Sequence, residues 1–271
     1  MFRNDNDNGN DNGNGAPTSE ALTFNFQLST FNIMEQNVYS KNYSYGSAVD
    51  MAAVFPVLMR KVYVWMSLAL VVTALTAYYV ATTPAALYAI FSNQVLFYGL
   101  LIAEVVVVIA MTALINKVSF VVAALMMAAY SVLNGVTMAS IFVVYEMASI
   151  ATTFFVTAGT FAAMAVVGYT TKKDLTKMGG ILMMALIGLI IATIVNFFLQ
   201  SDTMSYIVSG IGVLVFTGLT AYDSQKIKGM LMQCDTVNDG TQKLALLGSL
   251  TLYLDFVNLF LYLLRFLGNR K

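Results

Sequence analysis

The sequence predicts an all-α polytopic membrane protein of seven transmembrane helices, and three observations carry that expectation. Charged residues make up only 10% of the 271, against 59% apolar or aromatic, and the mean hydropathy is +0.75. A soluble domain carries about a quarter charged residues, so this chain has too little charge to coat a water-facing surface. Apolar stretches of roughly 20 residues, the length that crosses a hydrocarbon core, recur along it. The links between them are too short for a separate soluble domain.

Residues 1–50 read as a disordered tail and 51–271 as the transmembrane domain. Positions 4–15 are Asn, Asp and Gly only, too polar to bury and too glycine-rich to stay ordered. The run has neither the cationic start nor the apolar stretch of a signal peptide. Twelve positions counted from Asp5 or Asp7 reach Ala16 or Thr18, not the carboxylate that closes an EF-hand loop. Residues 22–28 alternate apolar with polar, a weak strand signal. Asn42-Tyr43-Ser44 fits a glycosylation acceptor but falls on the cytoplasmic side of the expected topology.

The spans are expected at 62–81, 95–114, 118–144, 149–169, 179–199, 204–222 and 244–264. Each is apolar on all sides rather than along one stripe, as lipid-embedded helices are. Ser67, Thr73, Asn134, Gly135, Thr160, Gly188 and Gly212 supply small or polar contacts for close packing. Pro84 falls in the first loop. With the N-terminus cytoplasmic, the inner segments hold Arg60, Lys61, Lys117, Lys172, Lys173, Lys177, Lys226, Lys228 and Lys243. The outer loops around Pro84, Glu146 and Asp202 hold no basic residue, which agrees with the positive-inside rule. Arg265, Arg270 and Lys271 disagree, since a full seventh crossing puts them outside. A re-entrant last helix is the alternative. The run from Lys172 to Lys177 is a topology determinant that can touch anionic headgroups.

There is one cysteine, Cys234, and no histidine. An internal disulfide, the usual zinc and haem ligand sets, and catalytic pairs that need histidine are all excluded. No cofactor is expected and the chain is read as a non-enzyme. Its partners are the lipid bilayer and small ions; a net charge of zero gives no ground for nucleic acid.

An ionised side chain at mid-membrane costs roughly 2.5–3.5 kcal/mol by insertion measurements, so three acidic residues stand out. Asp255 is near the middle of the last span. With Gly248, Thr251, Asn258, Tyr262 and Arg265 it recurs at steps of three and four, one helix face. Such a polar stripe must face protein or water, either as hydrogen-bonding glue or as an ionisable functional site. Asp223 closes the sixth span, where Lys226 or Lys228 on the next turn could satisfy it. Glu104 is central in the second span, beyond reach of any basic residue of its own helix, and is expected uncharged; a pathway role and a packing role fit it equally.

Residues 218–227 (GLTAYDSQKI) and 250–265 (LTLYLDFVNLFLYLLR) resemble the Bax inhibitor family, also called the transmembrane Bax inhibitor motif or lifeguard-related proteins, in its bacterial form. The likeness covers roughly 50–271. It implies two three-helix layers around a central hydrophobic C-terminal helix, and a pH-sensitive calcium leak governed by two hydrogen-bonded aspartates. Carried over, the gating and pH-sensing pair is Asp223 and Asp255, which also become the candidate calcium ligands. Glu104, Asn258, Thr251 and Lys117 become pathway candidates; Glu104 resembles an acidic position of the second span and Lys117 stands, offset, for a basic group near that span's end. Animal and plant members suppress cell death. Two carboxylates in poor solvent cannot both ionise easily and titrate as a unit, and a hard cation competes with the proton for their oxygens.

Three rival readings stand beside this one. A non-transporting receptor, scaffold or cell-stress regulator predicts partners at the basic loops and no flux. An intramembrane aspartyl protease shares Ala221-Tyr222-Asp223 with its first motif, but Leu252-Tyr253-Leu254-Asp255 lacks the glycines of its second and no Pro-Ala-Leu follows. A retinal protein fails for want of a lysine in the last span. The expected location is a plasma or inner membrane.

Overall fold

Residues 48–199 and 201–271 are described by the computed structural model of the chain. The tail at 4–15, the alternation at 22–28 and the acceptor at Asn42 lie outside them. The described residues form seven long apolar helices and one short one. They are α1 (Ala48–Thr82), α2 (Pro84–Phe91), α3 (Gln94–Leu114), α4 (Phe120–Val144), α5 (Met147–Thr170), α6 (Thr176–Leu199), α7 (Asp202–Leu231) and α8 (Asp239–Leu267). All but α2 are long and apolar enough to cross a membrane.

Helix boundaries follow local chemistry that hydropathy misses. α1 starts well before the apolar run and carries Pro56 inside it, with Leu58 and Val62 fully buried. The sequence places Pro84 in a loop. The segment is instead an eight-residue helix, because proline at the first helical position has its φ preset and lacks an N–H that would be unpaired there anyway. Asn93 caps α3 by accepting from the amides of Val95 and Leu96 at 3.1 and 3.2 Å. Ser119 caps α4, Ser201 caps α7, and Asn238 with Thr241 forms a reciprocal capping box on α8. Before α6, Asp174 accepts from the Thr176 amide and hydroxyl at 2.9 and 2.6 Å, and those donors hold its carboxyl below the usual range.

The two ends of the bundle differ chemically. At one end the basic segments are tied together: Lys61 donates to Gln242 at 2.7 Å, Lys243 to the Val118 carbonyl at 3.0 Å, and Lys228 to the Tyr169 carbonyl at 2.7 Å. The Phe120 amide donates to Asp239 there, and Gln225 pairs with the backbone at Leu175 and Lys173. At the other end the last residues pair with the turn between α4 and α5. The Glu146 amide donates to the Asn269 carbonyl, the Lys271 amide to Val144, and Tyr145 bridges antiparallel to Arg270.

α8 therefore begins beside Lys117 and finishes beside Glu146. It runs the whole height of the bundle as one unbroken helix, the geometry of a full crossing rather than of a re-entrant turn. The basic C-terminal residues that seemed to conflict with it are accommodated locally, with Lys271 Nζ donating to the Phe142 carbonyl at 2.6 Å.

The last helix is also the most enclosed, packing against α1, α4, α5 and α7. Leu246, Leu252, Tyr253 and Leu259 on it are wholly buried. α3, by contrast, turns Ile102, Val105, Val106 and Ile109 outward, as a lipid-facing helix does.

Candidate functional site

Helices α7 and α8 run antiparallel, and their interface is built from small residues set against large ones. Gly212 lies against the Tyr262 ring, Phe216 stacks on Tyr262 at 5.6 Å between centroids, and Gly248 lies against Ile227. Without hydrophobic drive between helices in lipid, close approach at such positions supplies the packing energy. Between the contacts at Tyr262 and the one at Ile227, the same register brings Asp223 of α7 and Asp255 of α8 together as hydrogen-bonding partners.

Asp255 is buried, 5% exposed, while Asp223 is half-buried near the basic end. No N–H or O–H donor reaches Asp255 Oδ2 among the described residues. A carboxyl whose partner is another carboxyl can form a hydrogen bond only if one of them keeps a proton. Lys226 acts on Asp223 electrostatically. Lys228, the other cation expected to satisfy it, is engaged by Tyr169, donating to its carbonyl and resting 4.9 Å from its ring centroid.

The remaining pathway candidates do not join this pair. Thr251 and Asn258 spend their polar groups on their own helix, at the Leu247 and Leu254 carbonyls. Lys117 is exposed in the turn after α3, roughly 15–20 Å along the helix axis from Glu104, so the two make no pair. Among the described residues no three His, Cys, Asp or Glu side chains converge. A calcium ion at the aspartates would need carbonyl and water oxygens to complete its shell.

Glu104 instead heads a second polar cluster. Thr137 donates to its Oε1 at 2.6 Å, and the Asn134 amide lies 3.4 Å from Oε2. Asn134 Oδ1 is 3.0 Å from the Tyr253 hydroxyl, which is 2.7 Å from Thr73 Oγ1, itself 3.0 Å from the Ser131 carbonyl. Four helices, α3, α4, α8 and α1, meet in this chain of bonds. Those last three contacts share two hydroxyl hydrogens. Turning the Asn134 amide over supplies the missing donor toward Tyr253, and then Asn134 Oδ1 faces Glu104. The array is complete in that form only when Glu104 is carried as the acid.

Sequence reasoning named Thr73 and Asn134 as packing polars and missed Tyr253. Its signal was its place two residues before Asp255, on the opposite face of the same buried helix, where only a hydroxyl with partners is tolerated.

Comparison with known proteins bears on the whole bundle. Residues 56–271 match the family described as "Inhibitor of apoptosis-promoting Bax1". The chain belongs to the Bax inhibitor family. It is 50% identical over 214 residues to a protein of Escherichia coli K12 named "Inner membrane protein YbhL", covering 79% of this chain and 92% of that one. It is also 46% identical over 215 residues to a protein of Borreliella burgdorferi, with the same two coverages, 79% and 92%. A Deinococcus radiodurans protein is 35% identical over 213 residues, 79% of this chain and 90% of that one. Bax inhibitor proteins are membrane regulators rather than enzymes, and membership carries the non-catalytic reading of this chain.

Proposed function

We propose that this Bax inhibitor protein is a pH-sensitive calcium leak channel whose gate is the Asp223–Asp255 pair. The observation that carries the proposal is the meeting of two carboxyls from adjacent helices, one of them with a buried oxygen that no donor among the described residues reaches. With one shared proton the carboxyls bond and hold α7 to α8. With both ionised they repel, or take up a hard cation as cargo through carboxylate, carbonyl and water oxygens. Proton and calcium thus contend for the same oxygens. Glu104, with Asn134 and Thr137 around it, supports a second acidic station on the path, while Thr251, Asn258 and Lys117 have weaker support because their geometry separates them from both carboxyl sites.

The packing supports two layers, α1 with α3 and α4 and α5 with α6 and α7, flanking α8. In this reading 51–271 is the transport domain and 1–50 an appendage. Basic residues collected at one end support a cytoplasmic N-terminus, and the relative named as an inner membrane protein supports a bacterial-type inner or plasma membrane.

Calcium flux into liposomes bearing the purified protein, measured across pH, tests the gate. Asp223→Asn and Asp255→Asn are each expected to flatten the pH profile, since an amide neither shares nor releases a proton. An unchanged profile in both variants would sink the proposal. The rival regulator without transport predicts no flux in any of the three proteins.

A further inference from the structure

We infer that the cleft between α1 and α5 binds one anionic phospholipid, its phosphate held at Arg60 and an acyl chain laid along the bundle. α1 and α5 both pack on α8 yet leave a cavity of about 800 Å³ between them, walled by Ser67 and Ala165 and floored by Phe256. It continues into a second, of about 350 Å³, that ends at Tyr78 and Met147. The two share Leu70, Ala74, Phe154 and Phe256, so the cleft is continuous. From Arg60 to Tyr78 it follows roughly 27 Å of helix, close to the ~30 Å of a hydrocarbon core. That length suits an extended chain better than a compact ligand.

Charge selects the headgroup. The cleft is mostly apolar, with the hydroxyls of Ser67 and Thr73 along it and Tyr78 at its far end, and its one charged lining group among the described residues, Arg60, stands with Tyr63 and Tyr169 at the other end. Among the described residues, no aspartate or glutamate lines either part. Arg60 is exposed, and no ion pair or hydrogen bond engages its guanidinium among the described residues. Lys228 rests on the Tyr169 ring at the same end, and Phe55 stacks on Tyr169 to join α1 to α5 there. Guanidinium and ammonium groups placed where the apolar wall begins match a phosphodiester at headgroup level. The floor residue Phe256 adjoins Asp255 in the chain, so an occupant presses on the helix that carries the pair; the binding itself does not depend on the channel reading.

Native mass spectrometry of the full chain, released from membranes of equal phosphatidylglycerol and phosphatidylcholine, tests this. The expected result is one retained phosphatidylglycerol, several-fold over phosphatidylcholine. Arg60→Gln is expected to bring the ratio near one without lowering the melting temperature, because the side chain is exposed. Ala162→Trp, which fills the cleft from an exposed position, is expected to lose both lipids. Equal retention of the two lipids by the parent protein, an undiminished preference in Arg60→Gln, or a lipid-free dimer seated on this face would each overturn the proposal.

Discussion

Asp255 and Tyr253 stand two residues apart on one buried helix and meet different chemistry because they point to opposite sides of it. Asp255 faces α7 and a second carboxyl; Tyr253 faces α1 and α4 and a chain of hydroxyl and amide groups. The hydrogen count in that chain makes a residue-scale expectation. Tyr253→Phe removes the link between Thr73 and Asn134 and leaves a buried amide N–H without its acceptor, a loss of about 1–2 kcal/mol. Glu104→Gln keeps the shape and supplies the same donor as the protonated acid, so its thermal melt in detergent should match the parent protein. If Glu104→Gln fell as far as Tyr253→Phe, Glu104 would have to be ionised in the folded protein. The flattened pH profiles expected of Asp223→Asn and Asp255→Asn belong to this scale too, since each removes one titrating group and little volume.

Helix pairs in this bundle are set by where side chains are missing. At the crossing of α5 and α7, a Cβ on Gly168 would run into the Ala221 carbonyl, and one on Gly179 of α6 would meet the Tyr222 ring. Backbone cannot yield as a flexible side chain does. Gly168→Val is therefore expected to cost at least the 1–3 kcal/mol typical of overpacking, read as a lower melting temperature and a smaller yield of monodisperse protein. Gly159 lies on the same helix with nothing within 4 Å of its would-be Cβ, and Gly159→Ala should leave both readings unchanged. Equal tolerance at the two positions would mean that α5 and α7 do not pack this closely. The consequence reaches the aspartates, because α7 is held on one side by α5 and α6 while it presents Asp223 to α8 on the other.

Taken whole, the bundle has one end where four basic segments are cross-tied and another where the last residues of the chain pair with the turn between α4 and α5. The chain's termini of α8 thus lie at opposite ends. Cysteines placed by Lys117→Cys and Asn269→Cys should be labelled by a membrane-impermeant maleimide from opposite sides of the membrane. The native Cys234 does not confuse the assay. It is 1% exposed, and burial together with the neighbouring Asp235 pushes its thiol up to about 11, so near neutral pH it stays protonated and unreactive. Labelling of both sites from one side would return the re-entrant alternative.

Seven apolar runs, the sidedness of lysine and arginine, and an aspartate in each of the last two spans were all legible in the sequence, because membrane insertion acts on local composition and length. The short helix after Pro84 and the early start of α1 were not, since hydropathy registers lipid contact rather than capping and backbone preference. Which polar groups meet was decided only by the tertiary structure. Helix spacing told that Asp255 shares a face with Thr251 and Asn258, yet those two bond to their own backbone while Asp223, thirty-two residues away, is the carboxyl that Asp255 meets. Lys117 and Glu104, close in sequence, are apart in space; Glu104 and Tyr253, far apart in sequence, are linked through one amide. Local sequence sets what each helix can offer, and the register in which neighbouring helices pack determines which offer is taken up.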